Sequence, residues 1–306
     1  MKVLIIGLGS IAQKHIKALR TLYPDIKIVA LRSNNSNKNI ESVEHIFKLS
    51  DTPTDIDFII ISNPTINHFE TIQSVLPLNR PLFIEKPALH TLENASLLLA
   101  TIKQKKIPTY VACNLRFHPC LQFVKKHLAQ NTDKINEVNI YCGSYLPDWR
   151  KDIDFRTVYS ANKDMGGGVH LDLIHELDYT YYLFDKPKTS YKTLKSKSSL
   201  NVSAIDYAHY ILDYDNFVAS ITLNYFRKDA KRQLEIVFSH STLILDFIGG
   251  TVSIDKEIVF EIEEAISSTY LEQMKYFTNC ILNNKTPFNS FEESLEVLKI
   301  CLNESI

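Results

Sequence analysis

Apolar residues recur along this chain in two different rhythms. In the first third, short unbroken apolar runs alternate with longer stretches in which apolar residues return every three or four positions. The runs are Val3-Leu4-Ile5-Ile6, residues 26–31, residues 58–61, residues 82–84 and residues 109–112. Continuous runs of this kind read as strands of a parallel sheet that is covered on both faces. Between them, Ala12, Ile16, Leu19 and Tyr23 hold helical spacing until Pro24 stops it. Residues 91–103 read as another helix, with Thr91 as its N-cap. Residues 34–39 are polar and read as a loop. Strands that alternate with helices predict a doubly wound parallel sheet.

The second rhythm begins after a predicted helix at 115–128 and a strand at 137–143. From residue 191 to residue 260 apolar and polar positions alternate one by one. Residues 207–213 and 217–223 flank the turn Tyr214-Asp215-Asn216, and residues 232–238 pair with 243–246. These are hairpins of an antiparallel sheet. Tyr and Thr at its apolar positions make a broad amphipathic face that needs helices or a partner chain to cover it. Residues 270–282 and 291–302 read as two closing helices.

The turn after the first strand carries chemistry. Gly7-Leu8-Gly9-Ser10-Ile11-Ala12 reads GxGxxA between a strand and a helix. Gly7 permits the tight turn, Gly9 lets a pyrophosphate approach the backbone, and Ala12 allows close helix–strand packing. The helix start offers N–H groups and a positive dipole end to phosphate. The second strand ends in Arg32-Ser33 where an acidic residue would hold the ribose 2′-hydroxyl of NAD, so the cofactor is read as NADP, with NAD as the alternative. Ligands of such sheets bind at the carboxyl ends of the strands, which makes Asn63, Pro64, Thr65, His68, Glu85, Lys86 and Asn114 candidates for cofactor contact. The fold class is therefore α/β: an N-terminal Rossmann sheet over residues 1–115, then an α+β domain over 116–306 with a mainly antiparallel, open-faced sheet. A length of 306 residues suits two domains.

A second cluster follows Gly166-Gly167-Gly168. The glycines let the backbone turn and let a bulky ligand approach, and Leu171, Ile174, Leu177 and Tyr181 line one side of the helix they lead into. Asp172 and His175, three apart, stand one above the other on that helix, a carboxylate beside an imidazole suited to proton transfer. Upstream, the only tryptophan, Trp149, precedes Arg150, with Arg156 and Lys163 further on. A Trp face beside cations suits a sugar ring that carries an anionic group. Arg116 either contacts substrate or pairs with an acid.

Composition narrows the partners. A net charge of -1 argues against a nucleic-acid surface. No apolar run reaches the ~18 residues of a membrane span, and the start has no signal-peptide pattern. The five cysteines have no metal-ligand spacing. They read as small buried hydrophobes of a chain in the reducing cytoplasm, and no metal is expected.

Taken in order, GLGSIAQKH at 7–15, NPTINH at 63–68, EKP at 85–87, NLRFHP at 114–119 and GGGVHLDLIHELD at 166–178 resemble the glucose–fructose oxidoreductase / inositol dehydrogenase (Gfo/Idh/MocA) family. The resemblance implies NAD(P)-dependent oxidation or reduction of a sugar-like alcohol, and a C-terminal sheet that makes dimer or tetramer contacts. It implies that Lys86 bridges substrate and nicotinamide ribose and that His175 is the general acid/base, tuned by Asp172. With Lys86, Arg116, Trp149 and Arg150, these two residues form the expected substrate set. In many members the Asp and His are four apart; the spacing of three resembles a subgroup written LDLxHELDY, associated with surface-sugar biosynthesis. Two other readings of the same residues are a redox-neutral epimerase or glycosidase and a non-catalytic NADP(H) sensor.

Overall fold

A computed structural model describes residues 1–33, 40–150, 152–263 and 267–302. The loop expected at 34–39 lies outside them. In chain order the elements begin β1 (Lys2–Ile6), α1 (Ser10–Leu22), β2 (Lys27–Leu31), β3 (Val43–Ile46), β4 (Phe58–Ile61), α2 (His68–Val75), β5 (Leu82–Ile84), α3 (Ala95–Gln104) and β6 (Thr109–Val111). They continue with α4 (Pro119–Gln130), β7 (Ile135–Tyr145), α5 (Val169–Asp172), α6 (His175–Phe184), β8 (Thr189–Lys195), β9 (Tyr207–Asp213) and β10 (Val218–Asn224). The last are β11 (Phe226–Phe238), β12 (Thr242–Asp246), β13 (Thr251–Ile254), β14 (Glu257–Glu261), α7 (Ser267–Leu282) and α8 (Phe291–Leu302).

The chain forms two compact units. One holds Met1–Asn114 and Ser267–Leu295, the other Leu115–Ile266 and Glu296–Ser305. The first unit is a six-stranded sheet in the order β3-β2-β1-β4-β5-β6, parallel throughout. All four residues of β4 are fully buried, as the unbroken apolar run requires of a strand covered on both faces. Helix α7 packs with α1, and its Phe277 ring meets Phe58 and Phe83 at centroid distances of 5.2 and 5.4 Å.

The second unit is an eight-stranded sheet in the order β14-β13-β12-β11-β7-β10-β9-β8. Its pairs are antiparallel except β7 with β10. Burial alternates along its strands. Ala208, Tyr210 and Leu212 of β9 and Ala219, Ile221 and Leu223 of β10 are buried, whereas Ile211 between them is 40% exposed. One face is therefore core and the other is open, which is the α/β class with an open-faced second sheet that the two rhythms predict.

Three local expectations need correction. Helix α3 starts at Ala95 rather than Thr91, because Asn94 at its N-cap sits in the left-handed region at φ 57; Asn tolerates that conformation and a continuing helix does not. The 115–128 helix is two segments, a 3₁₀ turn at Asn114–Phe117 and then α4, which starts at Pro119. Proline suits the first turn of a helix and cannot continue one. The helix after the glycines is broken. His170 C=O, which would accept from the Ile174 N–H in an unbroken helix, takes the Cys301 thiol at 3.4 Å. The Ile174 N–H turns to Leu171 O instead, at 3.4 Å. Asp172 thus ends α5 and His175 begins α6, so the two do not share one helical face.

Candidate active site

In the first unit the order of strands reverses between β1 and β4, and ligands of parallel sheets bind in the crevice beyond the carboxyl ends at such a point. Gly7 leaves β1 at φ +89, and a Cβ there would stand 2.7 Å from the Asn63 backbone, so the two strand ends meet without room for a side chain. Gly9 differs. Among the described residues no atom lies within 4 Å of where its Cβ would be. It is the N-cap of α1, whose start carries no side-chain cap and no acidic residue in the first turn. Ala12, fully buried, brings the helix down on the sheet. Uncapped N–H groups, a positive helix end and open space at a glycine fit the pyrophosphate of a dinucleotide. Leu8, Ser10 and Ile11 share this partly open turn, and Arg32 and Ser33 stand at the end of β2.

The neighbouring strand ends are tied together by buried polar groups. His68 reaches the Asn63 carbonyl through Nε2 at 3.0 Å and the Pro87 and Ala88 carbonyls through Nδ1 at 3.1 Å each. Burial holds its pKa below the ordinary value. His68 therefore lies between the turns after β4 and β5 and ties them together. The Asn63 amide donates to Thr71 Oγ1 at 2.7 Å, and Pro64 leads into a short 3₁₀ turn that starts at Thr65. Glu85 Oε1 lies 2.5 Å from Nε2 of the fully buried His15 on α1. Glu85 Oε2 accepts the Lys86 N–H at 3.2 Å. The turn that carries Lys86 is thus anchored to the same helix that presents the phosphate cradle. The Asn114 amide donates to Thr269 Oγ1 on α7 at 2.7 Å.

In the second unit the carboxylate of Asp172 accepts from Tyr159 Oη at 2.9 Å and from Tyr225 Oη at 2.5 Å. Beside it lies a pocket of about 320 Å³, open mouth included, lined by Trp149, Arg150, Phe155, Tyr159 and their neighbours. Trp149 donates its indole N–H to Ser144 Oγ at 2.9 Å and meets the Tyr225 ring edge-on. Trp149 and Arg150, neighbours in the chain, both line this pocket. Arg156 is engaged locally with Asp154, and the Lys163 N–H donates to Ser203 Oγ.

The first turn of α6, which begins at His175, is pinned by two buried ion pairs. Glu176 Oε1 accepts from Arg232 Nε at 2.7 Å. Arg116 forks onto Asp178 through Nε and Nη2 at 2.9 and 2.8 Å, with both residues at most 2% exposed. Of the two readings of Arg116, the acid pairing is the one in place. His118 is buried against Phe247. Sequence reasoning missed His15, Tyr159, Glu176, Asp178, Tyr225 and Arg232. Glu176 and Asp178 stood in the glycine-led motif itself; the tyrosines and Arg232 belong to no local pattern.

The glycine triplet also reads differently in three dimensions. A Cβ on Gly167 would stand 1.9 Å from the Tyr159 carbonyl oxygen, and one on Gly168 2.6 Å from the His170 ring. The room that these glycines leave is filled by the chain's own 159–162 segment and by His170, not by a ligand.

A parallel doubly wound sheet with a dinucleotide cradle, followed by a largely antiparallel sheet, defines an oxidoreductase with an NAD-binding Rossmann fold. The family described in those words, GFO_IDH_MocA, matches residues 1–112, and the GFO/IDH/MocA C-terminal domain matches residues 125–244. The chain belongs to that family. It is 24% identical over 225 residues to scyllo-inositol 2-dehydrogenase (NADP(+)) of Bacillus subtilis (strain 168), a match that covers 72% of this chain and 61% of that protein. It is 23% identical over 223 residues to glucose-6-phosphate 3-dehydrogenase of the same organism, covering 69% and 61%. The chain thus spans about three-fifths of the length of these curated relatives. Among solved structures it superposes on UDP-N-acetylglucosamine 3-dehydrogenase of Acidithiobacillus ferrooxidans with a TM-score of 0.79 at 17% identity, covering 99% of this chain and 96% of that one. These structural likenesses establish the fold.

Proposed function

We propose that this chain transfers a hydride between a nicotinamide dinucleotide and a carbinol carbon of a sugar, sugar acid or nucleotide sugar, with NADP preferred to NAD. The observation that carries the reading is the open, uncapped cradle at Gly9, where the order of strands reverses. Bound there, the cofactor supplies the hydride acceptor or donor. Gly7 to Ala12 hold its pyrophosphate, Arg32 and Ser33 the ribose 2′-phosphate, and Asn63 to Thr65 and Glu85 the remainder of the dinucleotide. Lys86 orients the reacting hydroxyl through its ammonium and polarises it. His175 takes the hydroxyl proton on oxidation and returns it on reduction, with Asp172 alongside. Trp149 and Arg150 hold the far side of the substrate. Relatives named for dehydrogenation of an inositol, a sugar phosphate and a nucleotide sugar support this substrate class. The first unit takes the cofactor role and the second the substrate role. The open face of the second sheet suits a homodimer or homotetramer, and the cytoplasm and surface-polysaccharide synthesis suit such an enzyme.

The test is nicotinamide absorbance at 340 nm with NADP⁺ or NAD⁺ and a panel containing scyllo-inositol, glucose 6-phosphate and UDP-N-acetylglucosamine. Lys86→Ala is expected to lower kcat more than ~100-fold, the usual worth of one positioned proton-transfer or electrostatic group. Near-full turnover by that variant removes Lys86 from the site.

A further inference from the structure

Asp172 is the end point of a chain of contacts that starts at the pocket wall. The residue is 8% exposed, and each of its oxygens accepts one phenol hydroxyl. Burial first, and the Asp172 charge second, push both phenols above their ordinary range. Both hydroxyls therefore remain protonated donors at any working pH.

The two phenols stand in different surroundings. Tyr225, between β10 and β11, is fully buried, and its backbone N–H is tied to Asp206 O at 3.0 Å. Tyr159 is 42% exposed: its hydroxyl end turns in to Asp172 while its ring forms a wall of the pocket that also holds Trp149. The glycine triplet seats it there. Gly167 lies under the Tyr159 carbonyl, where any Cβ would collide, and its N–H donates to Asn162 O at 3.0 Å.

We propose that Tyr159 is a positioning residue that acts through Asp172, its hydroxyl fixing one carboxylate oxygen while its ring forms the pocket wall against which a ring-shaped polyol rests. The side chain that touches the substrate is then also the one that sets the geometry of Asp172. Tyr225 fixes the other oxygen from the core side, so the carboxylate can turn only when the wall residue moves. The proposal rests on the hydride-transfer reading above.

The experiment is a double-mutant cycle on the full chain with Tyr159→Phe, Asp172→Asn and both together, plus Tyr159→Ala. It is assayed with NADP⁺ and whichever polyol of the panel wild type turns over. Tyr159→Phe keeps the wall and loses the donor, so kcat is expected to fall about tenfold, the loss of one hydrogen bond to a charged group, with KM within about threefold. In the Asp172→Asn background the same change is expected to cost less than about twofold, because the partner through which it acts is already altered. Tyr159→Ala removes the wall as well and is expected to raise KM. Unchanged kcat in Tyr159→Phe, or an undiminished tenfold effect in the Asp172→Asn background, overturns the proposal and leaves the hydride-transfer reading intact. Absence of turnover by wild type with every polyol of the panel counts against that reading, and the proposal falls with it.

Discussion

Replacing Arg116 with Met tests how the turn that carries His175 is held. The guanidinium makes two parallel bonds to Asp178, at 2.8 and 2.9 Å, and packs on the Tyr182 ring at 4.8 Å. The pair is almost sealed from water, with 1% and 3% of the two side chains exposed. Arg116→Met leaves the Asp178 carboxylate buried without its counter-charge, a change that costs about 3–5 kcal/mol. Against a total stability of about 5–15 kcal/mol, this is a large share. With an m-value of about 3 kcal/mol/M, the urea midpoint falls by roughly 1–1.7 M. The paired replacement Arg116→Met with Asp178→Leu removes both charges and is expected to return the midpoint to within about 0.5 M of wild type, because an apolar pair of similar volume avoids the desolvation cost. Trp149 fluorescence at fixed pH follows the unfolding. A single variant that moves the midpoint by less than about 0.3 M, or a double variant as unstable as the single, refutes the argument. If the double variant folds but works poorly, the pair is kept for the geometry of α6 rather than for stability.

Gly167→Ala pushes a methyl into the Tyr159 carbonyl and is expected to cost about 1–3 kcal/mol or more in urea unfolding. Gly9→Ala, at φ -73 with open space around it, is expected to change stability by under about 1 kcal/mol, yet to weaken NADPH binding tenfold or more in a nicotinamide fluorescence titration. Stability should fall in acid. Burial, with Lys192 second, holds His170 down to about 4, and burial with Arg232 second does the same for His118. The unfolded chain binds these protons near 6.5, so their contribution is complete above 6.5 and is lost as pH falls towards 4. For His170 alone the loss is roughly 3 kcal/mol, and urea midpoints at pH 7, 6 and 5 check it. Arg32→Ala is expected to raise the Kd for NADPH about tenfold while leaving NADH within about twofold; equal effects on the two cofactors would show that Arg32 does not read the 2′-phosphate.

The sheets were legible because burial imposes a rhythm that no tertiary detail overrides. The four consecutive apolar positions of β4, Phe58 to Ile61, and the one-by-one alternation of burial in β9 and β10 are direct imprints of two-sided and one-sided cover. Strand β3, Val-Glu-His-Ile, was not legible, since an edge strand of four residues with two polar ones carries little rhythm. The break between α5 and α6 was hidden because the thiol that takes up the freed His170 carbonyl, that of Cys301, is 131 residues away. The two phenols on Asp172 were hidden for the same reason, Tyr225 being 53 residues further on. The glycine triplet was read as room for a bulky ligand, but a sequence does not say whether a ligand or the chain itself takes the space, as it does at Gly167 and Gly168. Arg116 carried two readings until its neighbours were visible, because an arginine beside a turn looks the same whether it faces a substrate or an acid.

All five cysteines are buried thiols. Burial raises the Cys120 thiol to about 11 and the Cys301 thiol to about 12. Maleimide and iodoacetamide react with exposed thiolates, so native protein is expected to resist both. A cysteine introduced at an exposed position then becomes the only labelling handle, with none of the native five removed. A dye placed on the open sheet face, for example at position 191 where Tyr191 is 62% exposed, would report by energy transfer whether two chains pair through that face. The thiols of Cys120, Cys142 and Cys301 turn reactive when the second unit opens, and those of Cys113 and Cys280 when the first does, which makes alkylation rate a clock for local unfolding that needs no engineered probe.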